Sequence, residues 1–268
     1  MLADCAPLDA VDARVLLRHA LQVDDAYLIA HRDEALTAEQ AAAFVSLRAR
    51  RAAGEPVAYI VGAREFFSLE FTVTPAVLIP RPETELLVEV ALERIPENRA
   101  ARALDLGTGS GCIAIALAKQ RPHAEIAAVD RSAAALEVAR HNARRHAVSN
   151  VEFKSGDWFT ALDPQRFDVI VSNPPYIAAD DPHLAAGDVR AEPASALVGG
   201  ADGFDCIRAI VAGAPRHLNP GGLLALEHGY DQAERVRALL AAAGFTDVFS
   251  REDLAGIARV SGGMWTQS

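Results

Sequence analysis

Cysteine is scarce in this 268-residue chain, basic residues are outnumbered, and no long uncharged apolar run occurs. Each shortage removes a class of function. Cys5, Cys112 and Cys206 are odd in number and scattered, with no CxxC pair and no histidine at ligand spacing. This argues against a disulfide framework and a zinc site, so no metal is expected and the compartment is expected to be reducing. Lys and Arg total 26 against 36 Asp and Glu, a formal net charge of -10. An acidic balance disfavours broad, salt-dependent binding to nucleic acid and leaves room only for a local basic patch; a protein partner or a small substrate fits better. The start, Met1-Leu2-Ala3-Asp4-Cys5, has neither a basic region nor an apolar stretch, and no later segment approaches membrane-span length. A cytoplasmic protein, with no membrane partner, is the expectation.

The patterning that is present falls into two parts. Residues 1–62 read as short helices, among them Leu8 to Leu21 and Thr37 to Ala53, the latter opened by the capping-box pair Thr37 and Gln40 and closed by Gly54 before Pro56. Glu65 to Val73 alternates apolar residues at Phe67, Leu69, Phe71 and Val73, which predicts a strand or hairpin bridging two domains. The prolines of Pro80-Arg81-Pro82 then stiffen the chain ahead of a helix running to Pro96, whose first turn is acidic. From Ala101 strands and helices alternate: Ala103 to Leu106, Cys112 to Lys119, Glu125 to Val129, Ser132 to His146, Val151 to Lys154 and Phe167 to Ser172. A helix near Asp205 to Leu218, a strand Gly222 to Glu227 and a helix Asp231 to Ala243 follow. This alternation predicts a parallel sheet covered on both faces. The closing pair, Phe245 to Ser250 and Ile257 to Val260, is close enough to form a hairpin and so to add an antiparallel strand.

Two loops carry the chemistry. Asn173-Pro174-Pro175-Tyr176 follows the apolar run Phe167 to Ser172, where a buried strand reaches its carboxyl edge. Consecutive prolines withdraw two backbone donors, so this turn is an acceptor. The Asn173 side-chain oxygen beside a proline carbonyl can hold both hydrogens of a planar –NH2 group, and Tyr176 offers a face for it to lie against. The second loop, Gly107-Thr108-Gly109-Ser110-Gly111, opens a helix after a strand and allows close approach of a nucleotide-like cofactor. Cys112 stands where the dinucleotide fingerprint GxGxxG needs glycine, which weakens NAD or FAD and favours S-adenosylmethionine, a cofactor without pyrophosphate. Asp130, ending the next strand, suits the ribose hydroxyls, a role compatible with capping the helix that starts near Ser132. Asp157 and Trp158 fall at the same sheet edge and can flank an adenine; Trp158 also reads as core. His141 and His146 miss the i, i+4 ligand spacing. Neither they nor His228 is given a role.

Glycine loop, ribose acid and Asn-Pro-Pro-Tyr follow successive strands in the order of a class I methyltransferase. The expected fold is α/β: a Rossmann-like seven-stranded, mostly parallel sheet with a small N-terminal helical domain joined by a β-hairpin. Over nearly its whole length the chain resembles the glutamine-N5 methyltransferases of peptide chain release factors. The likeness lies in Gly62 to Phe67, Leu78 to Glu85, Gly107 to Gly111, Asn173 to Tyr176, Glu192-Pro193, Gly199 to Gly203 and Glu227 to Tyr230. It implies methyl transfer from S-adenosylmethionine to the glutamine of the Gly-Gly-Gln loop of class 1 release factors. It also implies a cofactor pocket lined by Gly107, Thr108, Gly109, Ser110, Gly111, Asp130 and Trp158, with Asn173 touching cofactor and substrate.

On this reading the domains are 1–62, recognising the release factor, 63–82, a hairpin linker, and 83–268, the methyltransferase. Asn173, Pro174 and Tyr176 are the catalytic candidates, and Asn173 to Tyr176 hold the substrate. Arg81 and Glu83 shape the pocket rim or serve as a salt bridge and a helix start. A monomer without direct nucleic-acid contact is expected. Three rivals make distinct demands. A methyltransferase of nucleic-acid amino groups would use the same acceptors on a flipped base. A noncatalytic release-factor binder would tolerate a degenerate loop, and an NAD oxidoreductase would need the missing glycine.

Overall fold

The computed structural model describes residues 8–267, so the chain start with Cys5 lies outside the described residues. The N-terminal part is helical: α1 (Ala10–Leu21), α2 (Asp25–Ala30), α3 (Ala38–Ala52) and the short α4 (Val57–Val61). Asp9 rather than Leu8 starts α1, its carboxylate accepting the Val11 amide at 2.8 Å. The capping box of α3 is formed in both directions, Gln40 N to Thr37 Oγ1 at 3.2 Å and Thr37 N to Gln40 Oε1 at 3.0 Å.

Strands β1 (Ala63–Phe66) and β2 (Leu69–Thr72) form an antiparallel hairpin. The alternation read from the sequence runs across its turn, and this corrects the register. Phe67 and Ser68 are the turn residues, with φ of 51° and 59°, so Phe66 takes the inward position, buried with Phe71 and Val73. A two-residue turn with both φ positive matches the twist of a hairpin. Asn142 braces it: Thr72 N donates to its Oδ1 at 2.8 Å, while its Nδ2 donates to Thr72 O at 3.0 Å and to Ser110 O at 2.9 Å.

A 3-10 turn, Pro82–Thr84, leads into α5 (Glu85–Leu92), which stops short of Pro96. Then come β3 (Arg102–Leu106), α6 (Cys112–Gln120), β4 (Glu125–Asp130), α7 (Ala133–Arg145), β5 (Val151–Ser155) and β6 (Phe167–Ser172). After a long loop follow α8 (Asp205–His217), β7 (Leu218–Glu227), α9 (Ala233–Ala242), β8 (Thr246–Glu252) and β9 (Ala258–Trp265). The sheet order is β5-β4-β3-β6-β7-β9-β8, and β9 is antiparallel to both neighbours. It is thus the expected seven-stranded, mostly parallel sheet. β9 extends beyond the expected Val260 through Gly262 and Gly263, because side chains there are excluded: a Cβ on Gly262 would stand 2.7 Å from the Phe249 ring.

Period two sorts the strand residues onto two faces. Val169, Val171, Leu223 and Ala225 pack under α5 and α6 with Leu87, Ile113 and Leu117. Leu104, Leu106, Ile170, Leu224 and Leu226 pack under α8 and α9 with Ile207, Ile210, Val236 and Leu240. The chain runs outward through β3, β4 and β5, then returns to lay β6 against the other side of β3. Loops leaving β3 and β6 therefore diverge to opposite sides and leave a crevice at the carboxyl ends of these strands.

Candidate functional site

A cavity of about 250 Å³ occupies that crevice. Leu106 is in register with Ser172, so the glycine loop and the Asn-Pro-Pro-Tyr turn leave the sheet side by side; Ser172 Oγ donates to Leu106 O at 2.7 Å. Gly107, Thr108, Gly109, Ser110, Asp130, Asp157, Trp158, Asn173 and Pro175 all line the cavity. Gly111 does not. At φ 82° it caps α6, and a Cβ there would lie 3.1 Å from Ala139 Cβ, so it serves the packing of α6 against α7.

The loop is held by its carboxylates. Asp130 Oδ2 accepts from Gly109 N at 2.9 Å and Oδ1 accepts from Ser132 N at 2.8 Å, while Ser132 itself caps α7 through Ala135 N. Asp130 is thus not the N-cap, and it stays half-exposed at the cavity wall. Below the loop Asp105 is buried; Oδ2 accepts from Thr108 Oγ1 at 2.6 Å, and Oδ1 has no hydrogen-bond partner. Burial pushes Asp105 up to about 7, against the opposing pull of the Thr108 hydroxyl and with the charge of Asp130 adding to the rise. Asp157 is exposed at the rim. Trp158, with φ 49°, is half-buried; it lines the cavity and also packs against the α8 side of the core. The carboxylates of Asp130 at the wall and Asp157 at the rim repel a pyrophosphate and suit a ligand bearing positive charge, such as S-adenosylmethionine with its sulfonium and ammonium groups.

On the other strand end, Asn173 Nδ2 donates to Thr84 Oγ1 at 3.1 Å. Among the described residues no donor reaches Asn173 Oδ1 or the carbonyl of buried Pro174. Tyr176 does not line the cavity. Its ring packs on the α8 side of the core, its hydroxyl donates to Glu227 Oε1 at 3.4 Å, and its backbone carbonyl accepts from Gln232 Nε2 at 2.9 Å. Burial pushes Glu227 up to about 7, opposed by the neighbouring Thr84 and Tyr176 hydroxyls and reinforced by the charge of Glu83. The glycines of Gly199 to Gly203 allow this turn to be approached closely: Cβ atoms on Gly199 and Gly203 would stand 2.5 Å from Pro175 O and 2.4 Å from Tyr176 O.

A strap closes the third side. Arg81 forms an ion pair with Glu192, whose other oxygen accepts from Ile79 N at 3.2 Å. The Glu192 side chain is fully buried, so this pair ties the Ile79-Pro80-Arg81 segment to the wall carrying Pro193 and Ser195. Arg81 is thereby both rim and salt bridge, whereas Glu83 sits in the 3-10 turn before α5. Arg51 of α3 reaches the same wall, bonding Asp12 at 2.7 Å and Asp188 at 2.5 Å.

The histidines have structural surroundings. His146 Nε2 meets Glu70 O at 2.9 Å. His228 Nδ1 donates to Gly229 O at 2.8 Å, which leaves Nε2 to accept from Ser261 Oγ at 2.8 Å. Among the described residues no group of three His, Cys, Asp or Glu could hold a metal ion. Nor is any helix there long and apolar enough to cross a membrane. Thr84, Gln232, Glu192 and Asn142 were not singled out by the sequence reading for what they do here. Of these, Thr84 and Glu192 lay in segments marked by the resemblance.

Residues 83–200 match the Methyltransferase small domain family and residues 1–62 match the PrmC N-terminal domain family. The chain is 58% identical over 268 residues to a release factor glutamine methyltransferase of Burkholderia pseudomallei (strain K96243), covering 98% of this chain and 94% of that one. It is 52% identical over 256 residues to the protein of the same name from Xylella fastidiosa (strain Temecula1), covering 96% and 93%. A solved methyltransferase from Pyrococcus furiosus shares the fold, with a TM-score of 0.58 at 21% identity over 83% of this chain and 99% of that one.

Proposed function

The chain belongs to the release factor glutamine methyltransferases, and from that membership we propose how its own residues methylate the glutamine of a release factor's Gly-Gly-Gln loop. The protein is an S-adenosylmethionine-dependent methyltransferase. When bound, the cofactor supplies an electrophilic methyl carbon on sulfur. Gly107 to Ser110 and Asp130 would hold it, with Asp157 and Trp158 available to its adenine, and Gly111 sets the helix beneath.

An amide nitrogen is a poor nucleophile because its lone pair is delocalised into the carbonyl. Asn173 Oδ1 and the Pro174 carbonyl each accept one amide hydrogen of the glutamine, turn its nitrogen toward the methyl group, and favour the pyramidal, partly positive nitrogen of the transition state. Alignment supplies the rest; well-oriented reactants gain on the order of 7 kcal/mol or more. Tyr176 packs behind the turn and keeps water away. No general base is needed, because an N-alkylated amide cation loses its proton readily to water.

One observation carries this reading: Asn173 has its nitrogen engaged by Thr84 and its oxygen without a protein donor, at the wall of the cavity that holds the glycine loop. The N-terminal helices recognise the release factor, and the protein works as a cytoplasmic monomer without direct contact to nucleic acid. Peptide mass spectrometry after incubation with S-adenosylmethionine and a release factor tests the activity. A gain of one methyl on the Gly-Gly-Gln glutamine, lost when that glutamine is replaced by alanine, is expected; methylation of RNA or DNA instead would refute it.

A further inference from the structure

We propose that Glu227 is a positioning residue for methyl transfer: through the Thr84 hydroxyl it fixes which end of the Asn173 carboxamide faces the pocket. The proposal rests on the reading of Asn173 as an acceptor given above. A carboxamide has two ends of nearly equal shape and opposite hydrogen-bonding character. Were Asn173 flipped, its –NH2 would meet the –NH2 of the substrate, donor against donor. Its own backbone does not prevent this, so a neighbour must.

The neighbour is Thr84, whose Oγ1 accepts from Asn173 Nδ2 at 3.1 Å. That sense of the bond requires the single Thr84 hydrogen to point elsewhere. Leu226 is in register with Ser172, so Glu227 at the end of β7 lies beside Asn173 at the end of β6. Alternation puts Glu227 on the face of Leu223 and Ala225, the face covered by α5, and Thr84 immediately precedes that helix. Thr84 and Glu227 are each 2% exposed, so water does not compete for either group. Above about pH 7, where the buried Glu227 is ionised, its carboxylate only accepts, so the Thr84 hydrogen has an acceptor beside it. Glu227 Oε1 is also met by the Tyr176 hydroxyl, while Oε2 has no hydrogen-bond partner of its own. One buried acceptor thus sets the direction of two hydroxyls, and one of these sets the amide.

The test uses the full chain, a release factor, and the variants Thr84→Val, Thr84→Ser, Glu227→Gln and Thr84→Val/Glu227→Gln. Losing a buried hydrogen bond that orients a reacting group is worth about 1–3 kcal/mol, so kcat is expected to fall about 10- to 100-fold in Thr84→Val. KM for the release factor and affinity for S-adenosylhomocysteine should stay within about twofold of wild type, the pattern of a contact felt only in the transition state. Thr84→Ser keeps the hydroxyl and should retain most of kcat. Glu227→Gln should fall too, since a carboxamide can donate to Thr84 as readily as accept, and the double variant should fall no further than the weaker single one.

A readout independent of turnover is the 15N–1H signal of the Asn173 side-chain amide in the cofactor-free protein. It should change in Thr84→Val and Glu227→Gln and be kept in Thr84→Ser. Wild-type kcat in Thr84→Val, losses that multiply in the double variant, or an unchanged Asn173 signal would each overturn the relay. Should Thr84→Val fail to fold, the Glu227→Gln and Thr84→Ser spectra decide alone. Asn173→Ala is measured alongside; full turnover there would sink the acceptor role itself rather than the relay.

Discussion

Asp105→Asn exchanges a buried carboxylate for a neutral group of the same shape, and its effect on stability must depend on pH. The side chain is 0% exposed, and burial raises its pKa from 3.8 to about 7. A displacement of roughly 3 pH units, at about 1.36 kcal/mol each, sets an upper figure of about 4 kcal/mol. A carboxyl group whose pKa is higher folded than unfolded favours the folded state fully when both forms are protonated. That advantage is lost as pH rises from about 4 to about 7, and above this range it stays lost. Asparagine cannot ionise and escapes the loss. It does place amide hydrogens where Oδ1 has no partner, a penalty of about 1–3 kcal/mol at every pH. Asp105→Asn is therefore expected to be the less stable protein at pH 5 and to overtake wild type near or above neutrality. Urea unfolding of both proteins at pH 5, 6, 7 and 8 measures the difference. Saturating S-adenosylmethionine brings positive charge toward the loop and should flatten the trend. A stability difference that stays constant across the series would refute the reasoning.

Asn173→Ala should abolish methyl transfer while cofactor affinity, read by calorimetry, falls much less. Tyr176→Phe should keep much of the activity, because its hydroxyl makes only a long contact of 3.4 Å to Glu227, whereas Tyr176→Ala should lose most of it; equal rates for the two would remove the packing role. Glu192→Ala leaves the partly exposed Arg81 guanidinium without its partner and the Ile79 amide without its acceptor, and a loss of about 1–3 kcal/mol in thermal or urea unfolding is expected. Gly203→Ala forces a Cβ against Tyr176 O and requires a left-handed alanine, so both stability and kcat should drop.

The sheet was legible because alternation and glycine punctuation are local signals. The strands from Ala103 to Ser172 lie where the apolar runs put them, and the antiparallel hairpin partner follows from the short spacing of the last two strands. The first hairpin was legible as a hairpin but not in register, since Phe67 looks apolar wherever it sits and only the turn geometry moves it out of the strand to a half-buried place at the core's edge. The loops that line the cavity were equally plain, because glycine and proline announce backbone conformation. The groups that orient them were not. Thr84, Glu227 and Gln232 approach Asn173 to Tyr176 from segments some 50 to 90 residues away, and a threonine before a helix carries no mark of the partner it meets in space.

Asn142 gives its carboxamide to Thr72 and to Ser110 alike. Neither segment can loosen without releasing the other, so the hairpin and the floor of the cavity form one cooperative opening unit. Occupancy of the loop should therefore slow deuterium uptake at Thr72, in a ribbon that lines no part of the cavity.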